Sequence, residues 1–287
     1  MMTGYQGRRQ IQKAASAASL ESVLRLLDAR TGSYAEVRSA RPGLLRVCAH
    51  VPGAAEASDI TGLRVLLLAD LLARAAELRN LQVLTVLASN GQPAGQQAAL
   101  ERAADALGIH PAATRTSSGG AQASLGGPID VHVADYGDRP DDSEGGLVAR
   151  VSAAHLHRVG DQSDGARDLL AGHEHDPLAV RLALMSLPSH EPADLTDSVL
   201  ANAQERVGLW RRRVAEWAEL PSRPVPTHTA ETFRAAFDDL DTVSALALLR
   251  RLELDDGVPT GAKFETFLYA DRILGLGLPS EIGRPHG

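Results

Sequence analysis

The sequence predicts an α/β fold in which a parallel, Rossmann-like sheet is followed by an α-helical bundle. Three observations carry this expectation. Two apolar runs of strand length, 44–49 and 81–88, enclose one long amphipathic helix, and strand, helix and strand in succession form a parallel crossover unit. A third short apolar run follows at 129–134. Beyond about Gly172 the apolar spacing is helical only.

Taken in order, residues 19–29 carry Leu20, Val23, Leu24, Leu26 and Leu27, which fits a short helix or a helix leading into an extended strand, ended by Thr31-Gly32. Leu44 to Ala49 is a buried strand closed by Val51-Pro52-Gly53. Ser58 or Asp59 can cap a helix from Ile60, where Leu63, Leu66, Leu67, Leu71 and Leu78 hold a helical stripe. Leu81 to Ala88 is the next strand, ended by Asn90-Gly91, and Ala98 to Leu107 a helix stopped by Gly108. The glycine- and serine-rich stretch 116–127 is expected as loop, Ile129 to Ala134 as strand, and the acidic stretch 139–146 as a solvated loop. Helices are then expected at Pro177 to Leu187, from Ser198 onward, through Phe233 and Phe237 with Thr227 or Thr229 as cap, around Leu246 to Leu252, and at Phe264 to Leu274. Leu200, Ala203, Val207, Trp210, Val214 and Trp217 form the packing stripe of the second of these. The division expected is a sheet core over 1–172 and a helical bundle domain over 173–287.

Composition narrows the function classes. The chain has 287 residues, 44% hydrophobic and 23% charged, enough apolar material for a packed core. Its 29 basic and 36 acidic residues give a net charge of −7, so no overall positive field points to a polyanionic partner. The one cysteine, Cys48, closes no intramolecular disulfide and supplies no multi-cysteine zinc cage. The N-terminus carries no apolar signal core, which makes the cytoplasm the default expectation. Only Lys13 and Lys263 are lysines, so a mechanism needing a lysine in mid-chain would have to use arginine.

Six segments then follow one another in a known order. They are Leu24-Arg25-Leu26-Leu27-Asp28-Ala29-Arg30-Thr31-Gly32; Leu45-Arg46-Val47-Cys48-Ala49; Arg64 with Asp70, and the strand Val83 to Asn90; Gly127-Pro128-Ile129-Asp130-Val131-His132; Arg167-Asp168-Leu169-Leu170 with Asp176-Pro177-Leu178-Ala179-Val180-Arg181-Leu182-Ala183-Leu184-Met185-Ser186; and Asp238-Asp239-Leu240-Asp241-Thr242 with Ala270-Asp271-Arg272-Ile273-Leu274-Gly275-Leu276. In this order the chain resembles a shortened, degenerate cysteinyl-tRNA synthetase or its relative, the cysteine ligase of mycothiol biosynthesis. The resemblance implies the nucleotidyl-transferase core of a class I aminoacyl-tRNA synthetase and an ancestral ATP-dependent, cysteine-activating ligase.

The same resemblance shows what is missing. The family's His-Ile-Gly-His signature falls on Asp59, Ile60, Thr61 and Gly62. An aspartate there repels the phosphates that a histidine stabilises. The Lys-Met-Ser-Lys-Ser loop has no counterpart, since the chain runs from Arg158 to Arg167 without a lysine. Arg64, Arg158 and Arg167 are the candidate phosphate contacts that remain. Of the family's zinc ligands, two cysteines, a histidine and a glutamate, Cys48 is the one remnant, and Pro140 to Gly145 stands where the histidine-rich segment belongs. Zinc is therefore not expected. His132 and Asp135 remain as candidate nucleotide contacts, although Val133-Ala134-Asp135 replaces the glycine run of the pocket.

Three further clusters favour plain surface roles: His173-Glu174-His175-Asp176, His155 with His157, and Arg211-Arg212-Arg213. The leading expectation is a paralogue without adenylate-forming chemistry that binds or regulates, its partner a protein or a small molecule and neither a membrane nor tRNA. The alternative is an ATP- and magnesium-dependent ligase in which arginines replace the missing lysines. A third is an interaction protein whose bundle packs on another enzyme.

Overall fold

The computed structural model describes residues 23–53, 59–137, 145–157 and 176–284. It opens on an antiparallel hairpin, β1 (Arg25–Asp28) with β2 (Ser33–Glu36), which resolves the first segment as a strand from Arg25 onward. The sheet core follows as β3 (Leu44–Val51), α1 (Asp59–Glu77), β4 (Gln82–Ser89), α2 (Ala94–Ala106), β5 (Thr114–Thr116), α3 (Ala121–Leu125), β6 (Val131–Asp135) and β7 (Leu147–Val151). These five strands pair in parallel in the order β5-β4-β3-β6-β7. The α/β expectation holds.

Seven of the eight residues of β3 are buried. A central parallel strand is covered on both faces, so its sequence is an unbroken apolar run rather than an alternation. One face packs on α1 through Val47, Ala49 and Val51 against Leu63, Leu67 and Leu72, within the main core. The other face carries a smaller cluster of Cys48, Val86, Ala88, Ala121, Leu125 and Ile129. That second layer is built by α3, a helix in the stretch expected to be loop. Its glycines are the reason it was hidden: Gly126 ends it in the left-handed conformation at φ 64°.

Past β7 come β8 (Ala154–His157), α4 (Pro177–Met185), β9 (Ala193–Thr196), α5 (Asp197–Ala218), α6 (Thr227–Asp238), α7 (Thr242–Leu254) and α8 (Thr260–Leu274). The region beyond Gly172 is thus not helical only: β9 pairs in parallel with β8, His155 opposite Asp194. Thr196 ends that strand and caps α5, its hydroxyl accepting from the Val199 N–H. The stripe on α5 is core as expected, with Trp210 and Trp217 both edge-on to Phe267 of α8. At α6 the expected threonine caps are not used; Pro226 precedes the helix and no side chain caps it.

One buried ion pair ties these layers together. Asp70 on α1 accepts from the Arg181 guanidinium of α4 at 2.6 Å, from Arg74 at 2.8 Å and from the His110 N–H at 3.0 Å. Arg181 is fully buried and also donates to the carbonyls of Leu274, at the end of α8, and Leu107, after α2. Gly275 ends α8 at φ 63°, and a Cβ there would stand 3.1 Å from the Cζ of both Arg181 and Arg74. Glycine is required twice over, by the backbone and by the two guanidiniums. Burial pushes the Asp70 carboxyl up, but Arg181, Arg74 and the His110 N–H outweigh it and hold it below the usual carboxylate range.

Arg181→Met is expected to cost about 3–5 kcal/mol in urea unfolding, because it leaves the buried Asp70 short of its main counter-charge. Since the folded-state pKa of Asp70 is depressed, its contribution is present above the unfolded carboxylate pKa, about 3.9, and is lost as pH falls through the folded value. Asp70→Asn should therefore lower stability at neutral pH and flatten its decline below about pH 4, both read from unfolding curves across pH.

Candidate functional site

The strand order reverses between β3 and β6, the neighbours that are not consecutive in the chain. Open α/β sheets bind ligands at such a switch point. Strand alternation places Arg46, Cys48 and His50 on one face of β3, and the parallel register sets His132 of β6 opposite Cys48. At the near end, Arg46 donates to the Leu125 carbonyl at 3.0 Å, and the Asp130 carboxylate accepts from the N–H groups of Arg46 at 2.8 Å and Ala40 at 2.7 Å. Further along, His50 Nε2 and His132 Nδ1 lie 3.0 Å apart, with the two rings stacked at 5.2 Å.

Cys48 therefore does not stand alone. One ligand atom each from Cys48, His50 and His132 lies within 4.8 Å of the others, and all three residues are buried; this is the one group of its kind among the described residues. Burial, with His50 and Arg30 adding and the Gly145 backbone offsetting in part, pushes the His132 imidazolium down to about 4. Its imidazole is neutral at physiological pH, the form that binds a metal. The family's own zinc set is not assembled by the described residues, and residues 140–144 lie outside them. The set that is present, one thiol and two imidazoles, has donor chemistry suited to zinc.

The degenerate signature sits at the start of α1. Asp59 is its first residue, and Ile60 is fully buried. The Thr61 hydroxyl accepts from the Ala154 N–H at 3.1 Å, which joins the helix to β8. Gly62, aligned with the family's second histidine, is closely packed: a Cβ there would meet Val51 Cγ1 at 3.2 Å, a tight contact, and two Leu100 methyls at 3.5 Å. Arg64 is 3% exposed and spends its guanidinium on the carbonyls of Ser152, Pro188 and Glu191. Its charge is used in holding the chain after β7 and the turn before β9.

His132 and Asp135 both lie on β6, three residues apart, so alternation turns them to opposite faces of the sheet and they do not converge. Arg158 and Arg167 lie outside the described residues, as do His173, Glu174 and His175. Asp176 is the N-cap of α4 and pairs with Arg211. Arg213 pairs with Glu216, so the arginine run is split between separate partners. His157 pairs with Asp194 at 3.0 Å, both side chains exposed. A cavity of about 250 Å³ not signalled by the sequence opens between the β1–β2 hairpin, α1 and the start of α7, lined by Leu27, Tyr34, Leu68, Tyr136, Met185 and Asp241 among others.

No family model matches the chain. Segments of it are similar to curated proteins named L-cysteine:1D-myo-inositol 2-amino-2-deoxy-alpha-D-glucopyranoside ligase. The protein from Salinispora tropica is 43% identical over 83 residues, 27% of this chain and 19% of the relative. That from Rhodococcus erythropolis is 39% identical over 114 residues, 38% of this chain and 27% of the relative. This chain is similar to the mycothiol cysteine ligases. The resemblance read from the motifs is borne out, and the match covers 19 to 27% of the length of those two relatives. A putative arginyl-tRNA synthetase from Campylobacter jejuni superposes with a TM-score of 0.46 at 10% identity, over 85% of this chain and 90% of that one.

Placing an imidazole at this closely packed position tests the packing of α1 on β3. Gly62→His is expected to destabilise the protein by about 1–3 kcal/mol through overpacking against Val51 and Leu100, measured by urea unfolding.

Proposed function

We propose that this chain is a non-catalytic relative of the cysteine-activating ligases that works by binding, its ligand a protein or a small molecule. The observation that carries the reading is the packing of Gly62. Where a ligase of this family needs a phosphate-stabilising histidine, a Cβ would stand 3.2 Å from Val51 Cγ1 and in contact with Leu100, and the neighbouring Thr61 hydroxyl accepts from the Ala154 N–H. The deficit lies in backbone packing as well as in side-chain identity. Arg64 adds support, because its guanidinium is committed to three carbonyls. The lysine loop is missing from the sequence as well, and each transition-state donor of this kind is worth about a hundred- to a thousandfold in rate. The 250 Å³ cavity at the β1–β2 hairpin offers a concave, largely apolar place for a small ligand. Membranes and tRNA are not among the partners proposed; no helix among the described residues is long and apolar enough to cross a bilayer.

The test is cysteine-dependent ATP–pyrophosphate exchange with magnesium present, which is expected to be undetectable. Thermal-shift measurements with ATP, with cysteine and with a nonhydrolysable cysteinyl-adenylate mimic separate retained binding from its loss. Clear exchange by the unaltered chain, abolished by Arg158→Ala or Arg167→Ala, would overturn the proposal and put an arginine-based ligase in its place.

A further inference from the structure

We propose that Cys48, His50 and His132 bind a borderline divalent cation, zinc foremost, which clamps β3 to β6 across the switch point of the sheet. The inference goes beyond the proposed function: the ion would be held whether or not adenylation survives. It is also not the two-cysteine, histidine and glutamate set that the resemblance implies, because two of its three ligands come from strand positions outside that set.

Two independent constraints bring the ligands together, and the packing beside them encloses one side. The two-residue period of β3 sends Cys48 and His50 to the same face. The parallel register places His132 directly opposite Cys48. The cluster Val86, Ala88, Ala121, Leu125 and Ile129 then walls the Cys48 side of this face with apolar groups. A tetrahedral zinc with bonds of about 2.0–2.1 Å to nitrogen and about 2.3 Å to sulfur needs its donors roughly 3.3–3.7 Å apart. His50 Nε2 and His132 Nδ1 stand at 3.0 Å, and one donor atom from each of the three residues lies within 4.8 Å of the others, so shifts of about 1 Å, the reach of side-chain rotations, bring the donors to coordination distance.

The protons balance simply. The thiol releases one as it becomes the thiolate ligand, and the proton shared between the two rings moves to the far nitrogen of the ring that carries it. Affinity consequently rises with pH as the thiol ionises.

The experiment titrates cobalt(II) into the metal-stripped, tag-free full chain and reads its absorption spectrum. Expected are a thiolate-to-cobalt charge-transfer band and strong tetrahedral d–d bands saturating at one equivalent, both displaced by zinc. Cys48 is the only cysteine, so the charge-transfer band identifies it. Cys48→Ser should abolish that band, and His50→Gln or His132→Asn should weaken cobalt binding by more than the ten- to hundredfold contributed by groups outside a coordination sphere. If a variant does not fold, the spectrum of the unaltered chain still decides. A weak octahedral spectrum without charge transfer would overturn the proposal, as would a charge-transfer band of unchanged affinity in both folded histidine variants.

Discussion

Asp70 and Arg181 hold the molecule together. Neither charge is stable out of water by itself; each is tolerated because the other lies 2.6 Å away and the remaining donors of Arg181 reach two helix-end carbonyls. The geometry joins four parts of the chain at one point: the helix that covers the sheet, the turn after α2, the first helix of the C-terminal part and the end of the last. Asp271 extends the same knot. Burial pushes its carboxyl above the usual range, and it accepts the N–H groups of Leu276 and Leu278, which fixes the turn that brings Gly275 beneath the two guanidiniums. A buried ionic knot of this kind specifies one arrangement of layers more than it adds net stability.

The segments that carry the family resemblance fall into two groups once placed in space. Arg64, Asp70, Arg181, Asp271 and Gly275 belong to the first, and each is engaged in holding elements against one another. Asp59, Thr61 and Gly62 belong to the second, where the family's chemistry requires other side chains. The positions of the first group build the frame, and those of the second lie together at the start of α1. Sequence identity to the ligases over part of the chain does not by itself carry an activity, which has to be argued from the site.

The sheet centre and the long helices were legible because their patterns are long: eight residues in β3 and in β4, nineteen in α1, twenty-two in α5. β7, β8 and β9 have five, four and four residues, and strands that short are defined by what they pair with. β9 is the clearest case: Ala193-Asp194-Leu195-Thr196 has no signal of its own before β8 is in place beside it. The candidate site was half legible. Cys48 and His132 were singled out separately, but their union needs the register between β3 and β6, which no local pattern encodes. His50 was missed although its signal was present, a histidine two residues after a cysteine within a strand.

The short β8–β9 pair bears on how much chain the frame tolerates between β8 and α4. Segment 158–175, where the ligase relatives would carry their lysines, departs from the end of β8 and returns at the start of α4. Each end is fastened by contacts that do not involve the segment: β8 by its ladder to β9, and the start of α4 by the Asp176 cap and its pairing with Arg211. The entropy of closing such an excursion changes by only about 0.6 kcal/mol for each doubling of its length. The frame is thus indifferent to how much chain lies between the two anchors. Selection on folding alone would neither preserve a longer segment there nor resist its shortening, so chains sharing this frame are free to differ in length at this point.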